Sequence, residues 1–156
     1  MSVAFRRESD EEHLEPKFEL PIPPGPNLVT PRGLSLIEAR VSELEARLTD
    51  PLSEEERSAV KREARYWRAR QASAQLIAAP TGEQVAIGCR VTYQREGQSR
   101  TIEIVGHDES EPATDRVGFT APLVRAMLGA QVGDEIDLPG GHILTIIAVE
   151  PSVYAR

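Results

Sequence analysis

An apolar seam in the middle of the chain constrains its fold more than any other feature. Its residues recur at steps of three, four, three and four, the spacing that holds one helix face against a partner helix. They are Leu34, Ile37, Val41, Leu44 and Leu48. Thr30 suits the N-cap and Pro31 the first helical position, whereas Asp50 and Pro51 end the segment. The pattern predicts a helix of about 19 residues, roughly 28 Å long.

A second helix is predicted after a connection of about four residues. Ser53 and Glu56 have the spacing of a capping box at its start, and Pro80 ends it. Its apolar positions are Val60, Ala64, Trp67, Ala74 and Ile77. Helices joined by so short a connection pack antiparallel, so the two form a helical hairpin. Trp67 is predicted to lie in the hairpin core or at its junction with the next domain, with a ligand contact as the alternative.

From Gln84 onward the apolar period changes to two, which is typical of strands. Strands are predicted at 85–87 with Val91 and Tyr93, at 101–105, at 135–138 and at 142–149. Thr120 is predicted to cap a short helix that ends at Leu128. The fold class is therefore α+β, with a helical hairpin followed by an antiparallel sheet and one short helix.

The chain divides into three parts on this pattern. Residues 1–27 form an acidic, proline-rich tail without expected order, because prolines 21, 23, 24 and 26 suit neither a helix nor a sheet. Residues 28–79 form the hairpin. Residues 80–156 form the α+β domain.

Composition excludes several classes of protein. No run of 18 apolar residues exists, so no membrane span is expected. A net charge of -7 argues against duplex DNA as the main partner, and no sequence-specific DNA binding is expected. Cys89 is the only cysteine, which fits a reducing compartment, and the cytoplasm is the expected location. The three histidines lack metal-ligand spacing, so no metal site of its own is expected.

The predicted hairpin tip is acidic. Asp50 and Glu54 lie there with Glu55 and Glu56, four carboxylates within seven residues. Such a cluster can attract a hard divalent cation or a cationic surface. The alternative is that these residues only stabilise a helix N-terminus, where carboxylates favour the helix dipole.

The second predicted helix carries a basic stripe. Its residues, Arg57, Lys61, Arg65 and Arg68, recur at steps of four, four and three. One hypothesis is that the basic stripe binds a nucleic-acid backbone or an acidic protein surface. The other is that it is a solvated helix face that pairs with glutamates of the first helix.

Several segments resemble the GreA/GreB family of bacterial transcript-cleavage factors. Residues 30–34, Thr-Pro-Arg-Gly-Leu, resemble the start of these factors. Residues 104–112 resemble the family's IVGxDEADP stretch, and residues 121–129 resemble its SPIARALLG helix. The motifs at 132–134 and 139–141 follow in the family's order, so the resemblance covers roughly residues 28–150.

The resemblance implies an FKBP-like C-terminal domain and a partner, bacterial RNA polymerase. The protein would act as a monomer. Its hairpin would enter the polymerase's secondary channel and reach the 3′ end of the nascent RNA. Asp50 and Glu54 would help to hold the polymerase's own Mg²⁺, with no cofactor of the chain itself. The protein would then be a factor acting on an enzyme and not an enzyme. The basic stripe would face RNA or polymerase.

Polymerase docking is assigned on the same basis to the C-terminal domain. Its expected residues are Asp108, Glu109, Thr120, Pro122 and Arg125. Asp108 and Glu109 have the alternative of being ordinary loop carboxylates.

Two rival functions stay open. Pro51 separates Asp50 from the Leu-Ser-Glu tip motif at residues 52–54, and the arm is shorter than in the cleavage factors. Both departures favour a regulator that resembles the Rnk group or Gre-like inhibitors and occupies the channel without stimulating cleavage. An FKBP-like domain also suggests a peptidyl-prolyl isomerase, but such activity needs a pocket lined by aromatic rings. Beyond Pro80 the chain has only Tyr93, Phe119 and Tyr154.

Overall fold

The computed structural model describes residues 19–153 of the chain. The expectation of an unordered tail falls mostly on residues 1–18, which lie outside the described residues, as does Tyr154. Contacts divide the chain into two compact units. The hairpin unit contains Ile37–Ser73 and the described residues that precede Gly25. The sheet unit contains Gly25–Leu36 and the chain from Ala74 onward.

Two helices make up most of the hairpin unit. Helix α1 spans Pro31–Arg47 and helix α2 spans Glu54–Ser73. The predicted seam of α1 is buried at Ile37, Val41 and Leu44 and half-buried at its ends. Leu44 packs against Val60 and Ala64 of α2, with Leu48, Leu52 and Trp67 at the margin. The heptad spacing predicted both helices and the faces that they bury.

The predicted end of the second helix is wrong. Helix α2 stops at Ser73, and Ala74–Leu76 forms strand β2. Strand β1, Asn27–Val29, pairs with β2 in parallel, so that Leu28 lies opposite Gln75. The helical period continues through Ala74 and Ile77, but β1 supplies backbone hydrogen bonds from a distant part of the sequence. The sheet unit therefore includes residues 28–36 and 74–79, which the sequence placed with the hairpin, and residues 25–27, which it placed with the tail.

A five-stranded sheet carries the second core. Its strands are β3 (Cys89–Arg95), β4 (Gln98–Val105), β5 (Arg116–Gly118), β6 (Glu135–Leu138) and β7 (His142–Pro151). Their order in the sheet is β5-β4-β3-β7-β6. All neighbours are antiparallel except β4 and β5, which are parallel. Helix α3, Pro122–Met127, covers one face through the buried residues Val124 and Met127.

Two local predictions in the sheet unit are wrong. Residues 85–87 form no strand, because the backbone of Val85 bonds with Gly129 and Ala130 in a loop. Thr120 does not cap α3: Ala121 is the N-cap residue, and no side chain caps this helix. The fold class is confirmed as α+β, a helical hairpin followed by a mainly antiparallel sheet with one short helix. None of the helices within residues 19–153 is long and apolar enough to cross a bilayer.

Candidate functional site: the hairpin tip, its basic stripe and the sheet-unit groove

The connection between α1 and α2 is held by Arg57. Its guanidinium donates one hydrogen bond to the Leu48 carbonyl oxygen at 2.8 Å and another to that of Asp50 at 3.1 Å. These bonds satisfy carbonyls that lie beyond the end of α1. The backbone at Asp50 is thereby tied to α2, while the side chains of Asp50 and Glu54 are exposed to solvent. The tip presents carboxylates on a fixed backbone.

The predicted capping box is present at the start of α2. The Ser53 hydroxyl oxygen accepts a hydrogen bond from the Glu56 backbone N–H at 3.0 Å, and the Glu56 carboxylate accepts one from the Ser53 N–H at 3.0 Å. The Ser53 backbone bond is the main reason that the pKa of Glu56 is lowered, with the Ser53 side chain second. Both bonds favour the ionised carboxylate.

This capping box predicts a pH dependence of the tip. Because the folded pKa of Glu56 lies below its ordinary value, its stabilising effect is complete above that value. The effect is lost as the pH falls through the lowered folded pKa. Ser53→Ala keeps the backbone N–H and removes only the hydroxyl, so it is expected to raise the Glu56 pKa part of the way towards its ordinary value, whereas Ser58→Ala leaves it unchanged. A carbon-detected NMR titration of the Glu56 carboxyl measures this, and equal titration in all three proteins would contradict the capping box.

The basic stripe, Arg57, Lys61, Arg65 and Arg68, has a different environment at each position. Arg57 closes the tip, and Arg68 forms an ion pair with Glu45 of α1 at 3.1 Å. Arg65 forms an ion pair with Glu19 at 2.7 Å, and Lys61 is exposed. The Arg68–Glu45 pair is of the kind that a solvated helix face makes with the first helix. Arg65 and Arg68 are exposed to the same degree, at 49% and 48% of their side chains.

Trp67 lies at the edge of the hairpin core, as the sequence indicated. Its ring is half-buried, Tyr66 meets it edge-on with centroids 5.2 Å apart, and the Arg40 guanidinium lies 5.8 Å from its centroid. Such aromatic and cation–π contacts stabilise the packing of the two helices. Trp67 is therefore a packing residue and a natural fluorescence probe for the hairpin unit.

Glu109, assigned to docking from the sequence, is instead buried, with 4% of its surface exposed. Its carboxylate accepts hydrogen bonds from the Thr30 hydroxyl at 2.7 Å and from the Gly106 N–H at 3.2 Å. Arg32 lies 3.5 Å away. Thr30 in turn caps α1 by accepting from the Gly33 N–H at 3.0 Å. We call these five residues the Glu109 clasp. It holds the first turn of α1 on the sheet unit, and no outward-facing charge remains for docking.

Two glycines make room for the Glu109 clasp. A Cβ atom at Gly33 would overlap the Glu109 side chain, and a Cβ at Gly106 would lie 2.6 Å from the Leu28 carbonyl oxygen. The Glu109 clasp was not predicted from the sequence, although Gly33 is one signal of it. A glycine in the first turn of a helix is a poor helix former, and it indicates a close approach by another group.

Two other docking residues line an open groove of about 690 Å³ in the sheet unit. Its lining consists of Pro122, Leu123, Arg125 and Ala126 of α3 together with Arg95, Leu138 and Pro139. Thr120 is exposed, and Asp108 is half-buried in the turn at His107–Glu109, which is not part of the groove lining. The structure thus brings Pro122 and Arg125 together and leaves Glu109 out of this surface.

No aromatic ring is among the groove residues just named. Tyr93 is buried in the sheet core, and Phe119 packs against that core. This groove therefore lacks the aromatic lining that an isomerase needs. Within residues 19–153, no three His, Cys, Asp or Glu side chains lie close enough together to hold a metal ion.

The described chain consists of a helical hairpin with exposed carboxylates at its tip, followed in sequence by a small sheet domain. Residues 79–151 match the family model described as "Transcription elongation factor, GreA/GreB, C-term". The C-terminal domain of this chain is therefore similar to the C-terminal domain of GreA/GreB transcription elongation factors. The resemblance seen at residues 104–112 and 121–129 is confirmed by this match.

Individual relatives carry the same name. The chain is 37% identical over 65 residues to transcription elongation factor GreA of Maricaulis maris, covering 39% of this chain and 41% of that protein. It is 32% identical over 85 residues to GreA of Desulfovibrio desulfuricans, covering 51% of this chain and 52% of that protein. The chain thus spans about half the length of the curated relatives that it matches.

Solved structures with a similar chain course include GreA factor homolog 1 of Thermus thermophilus. That similarity has a TM-score of 0.38 and 19% identity, and it covers 81% of this chain and 99% of that chain. A GreA/GreB factor of Nitrosomonas europaea has a TM-score of 0.38 and 18% identity, over 79% and 98% of the two chains.

Proposed function

We propose that this protein binds bacterial RNA polymerase at its secondary channel and inserts the hairpin unit into that channel. The observation that carries the proposal is the GreA/GreB match over residues 79–151, preceded by a helical hairpin with exposed tip carboxylates. In this proposal the groove with Pro122 and Arg125 docks on the polymerase. The proposed docking residues also include Thr120, which precedes α3, and Asp108. The protein acts on the polymerase's active site and has no reaction of its own.

The tip carboxylates would act on the polymerase's metal ion. In two-metal catalysis of RNA hydrolysis, a loosely held Mg²⁺ needs further oxygen ligands to activate water. Asp50 and Glu54 are exposed on a loop whose backbone Arg57 holds. They supply oxygen ligands of the type that Mg²⁺ prefers. The exposed charge of Lys61 is available to the 3′ end of the RNA or to an acidic wall of the channel, and Arg65 next to it is paired with Glu19.

The length of the hairpin favours a second candidate, a channel-binding regulator without cleavage activity. Helix α1 has 17 residues, two fewer than the heptad pattern indicated. At 1.5 Å per residue it spans about 26 Å. Pro51 also moves Asp50 one residue away from the Leu-Ser-Glu segment. A tip that ends short of the catalytic metal cannot ligate it, and the hairpin then only occupies the channel.

The test separates the two candidates from each other and from failure of the proposal. Purified protein is expected to bind core RNA polymerase at low salt. It is also expected to compete with other ligands of the polymerase's secondary channel. A backtracked elongation complex then reports cleavage as shortening of labelled RNA. If the protein is a cleavage factor, Asp50→Asn/Glu54→Gln lowers the shortening rate about tenfold or more, because metal ligands are lost.

Glu38→Gln is the matched control, since it removes an exposed carboxylate on α1 away from the tip. It is expected to leave both binding and cleavage unchanged. Binding without RNA shortening identifies the regulator. Absence of binding to core polymerase rejects both candidates.

A further inference from the structure

Glu19 lies on the basic stripe of α2, although it is 46 positions from Arg65 in the sequence. The Arg65 Nε donates to both carboxylate oxygens of Glu19, at 2.7 and 2.8 Å, and a terminal nitrogen of Arg65 lies 2.7 Å from Oε1. Both side chains remain about half exposed, with 49% of Arg65 and 61% of Glu19 accessible. The pair is charge-assisted and multidentate, and it is open to competing ions.

The charges around Glu19 strengthen this placement. The hydrogen bond from Arg65 is the main cause that lowers the pKa of Glu19, and the charge of Arg62 acts in the same direction. The same bond raises the pKa of Arg65. Glu19 therefore lies in the positive field of two arginines and takes up charge that would otherwise face solvent.

Glu19 lies between an acidic stretch of sequence and a proline-rich one. Residues 1–29 contain six acidic and three basic side chains, and Glu19 is the last charge in that stretch. The prolines at positions 21, 23, 24 and 26 follow directly. Proline restricts the backbone, so less conformational entropy is lost when the preceding residue is held against a helix.

We propose that Glu19, at the end of an acidic N-terminal segment, is an intramolecular competitor of linear polyanions for the basic stripe of α2. A polyanion such as RNA must displace the Glu19 carboxylate before its phosphates reach Arg65. An exposed ion pair is weak and screened by salt, so a polyanion that engages several cations at once can displace it. The Glu19–Arg65 contact thereby weakens the binding of a polyanion to the basic stripe but does not prevent it.

The proposal concerns the same basic stripe as the proposed function, but its test needs no polymerase, so the two fail separately. The full chain and its variants are titrated into a fluorescein-labelled oligouridylate at low salt, and anisotropy gives the dissociation constant. Glu19→Gln is expected to bind about two- to fivefold more tightly than the wild type. Lys61→Gln is expected to weaken binding in both backgrounds.

Glu38→Gln is the matched control, because it removes the same charge from an exposed carboxylate for which the described part of the chain shows no contact with the stripe. Its binding is expected to change less than that of Glu19→Gln. In an Arg65→Gln background, Glu19→Gln is expected to have no further effect, since its partner is already gone. Circular dichroism checks that every variant keeps its helices.

Three results would overturn the proposal. One is equal tightening by Glu19→Gln and Glu38→Gln, which would make net charge the cause. Another is full tightening by Glu19→Gln in the Arg65→Gln background. The third is no RNA binding by any variant, which would remove the polyanion surface itself.

Discussion

Replacing Glu109 with glutamine is expected to lower the free energy of unfolding of the sheet unit by about 2–4 kcal/mol. The carboxylate accepts hydrogen bonds from the Thr30 hydroxyl and the Gly106 N–H, and Arg32 lies 3.5 Å from it. A glutamine amide keeps one acceptor oxygen but turns two N–H donors towards groups that are donors themselves. The negative charge that faces Arg32 is also lost from the buried Glu109 side chain.

The measurement is urea unfolding followed by NMR signals of buried strand residues, such as Ile102 and Ile146. Glu150→Gln is the matched control, because Glu150 is an exposed carboxylate of the same unit. Its effect should stay within about 0.5 kcal/mol. A similar small effect at Glu109 would show that its hydrogen bonds do not hold the unit.

Replacing Leu44 with alanine is expected to destabilise the hairpin unit by about 2–5 kcal/mol. Leu44 is fully buried, and the cluster that it joins has only Val60 and Ala64 as further buried members. A cavity in so small a core removes a large share of its apolar contacts. An isolated helix pair is marginal in water, so most of the hairpin structure should be lost.

Trp67 is the only tryptophan of the chain and packs against this cluster, so its fluorescence reports on the hairpin unit. Leu48→Ala is the control, since Leu48 lies just beyond the end of α1 and is only half-buried. It should cost clearly less than Leu44→Ala. Equal losses at the two positions would contradict the burial seen in the hairpin. The Leu44→Ala protein should also lose polymerase binding if the hairpin is inserted as proposed.

Local sequence signals predicted the elements whose stability depends on near neighbours. The seam from Leu34 to Leu48 predicted α1, because the helical period repeats within the segment itself. Ser53 and Glu56 predicted the start of α2, because a capping box is complete within four residues. A period of two in the apolar residues predicted strands β3, β4, β6 and β7.

Contacts between distant segments account for the errors. Nothing near Ala74 in the sequence indicates that the chain leaves the helix there, because the partner strand is Asn27–Val29. Val85 is a residue type that favours strands, yet its backbone forms hydrogen bonds with Gly129 and Ala130 in a loop. Each partner lies far along the chain, where no local period can reveal it.

The candidate site divides along the same line. Sequence alone determined the hairpin, its acidic tip with Asp50 and Glu54, and the similarity of the C-terminal domain to GreA/GreB factors, because these depend on short motifs and helical spacing. Only the tertiary structure decided the roles of Glu109 and Glu19. One is buried beneath the cap of α1, and the other lies on Arg65. A carboxylate's role depends on which cations and donors surround it, and those come from segments brought together only by folding.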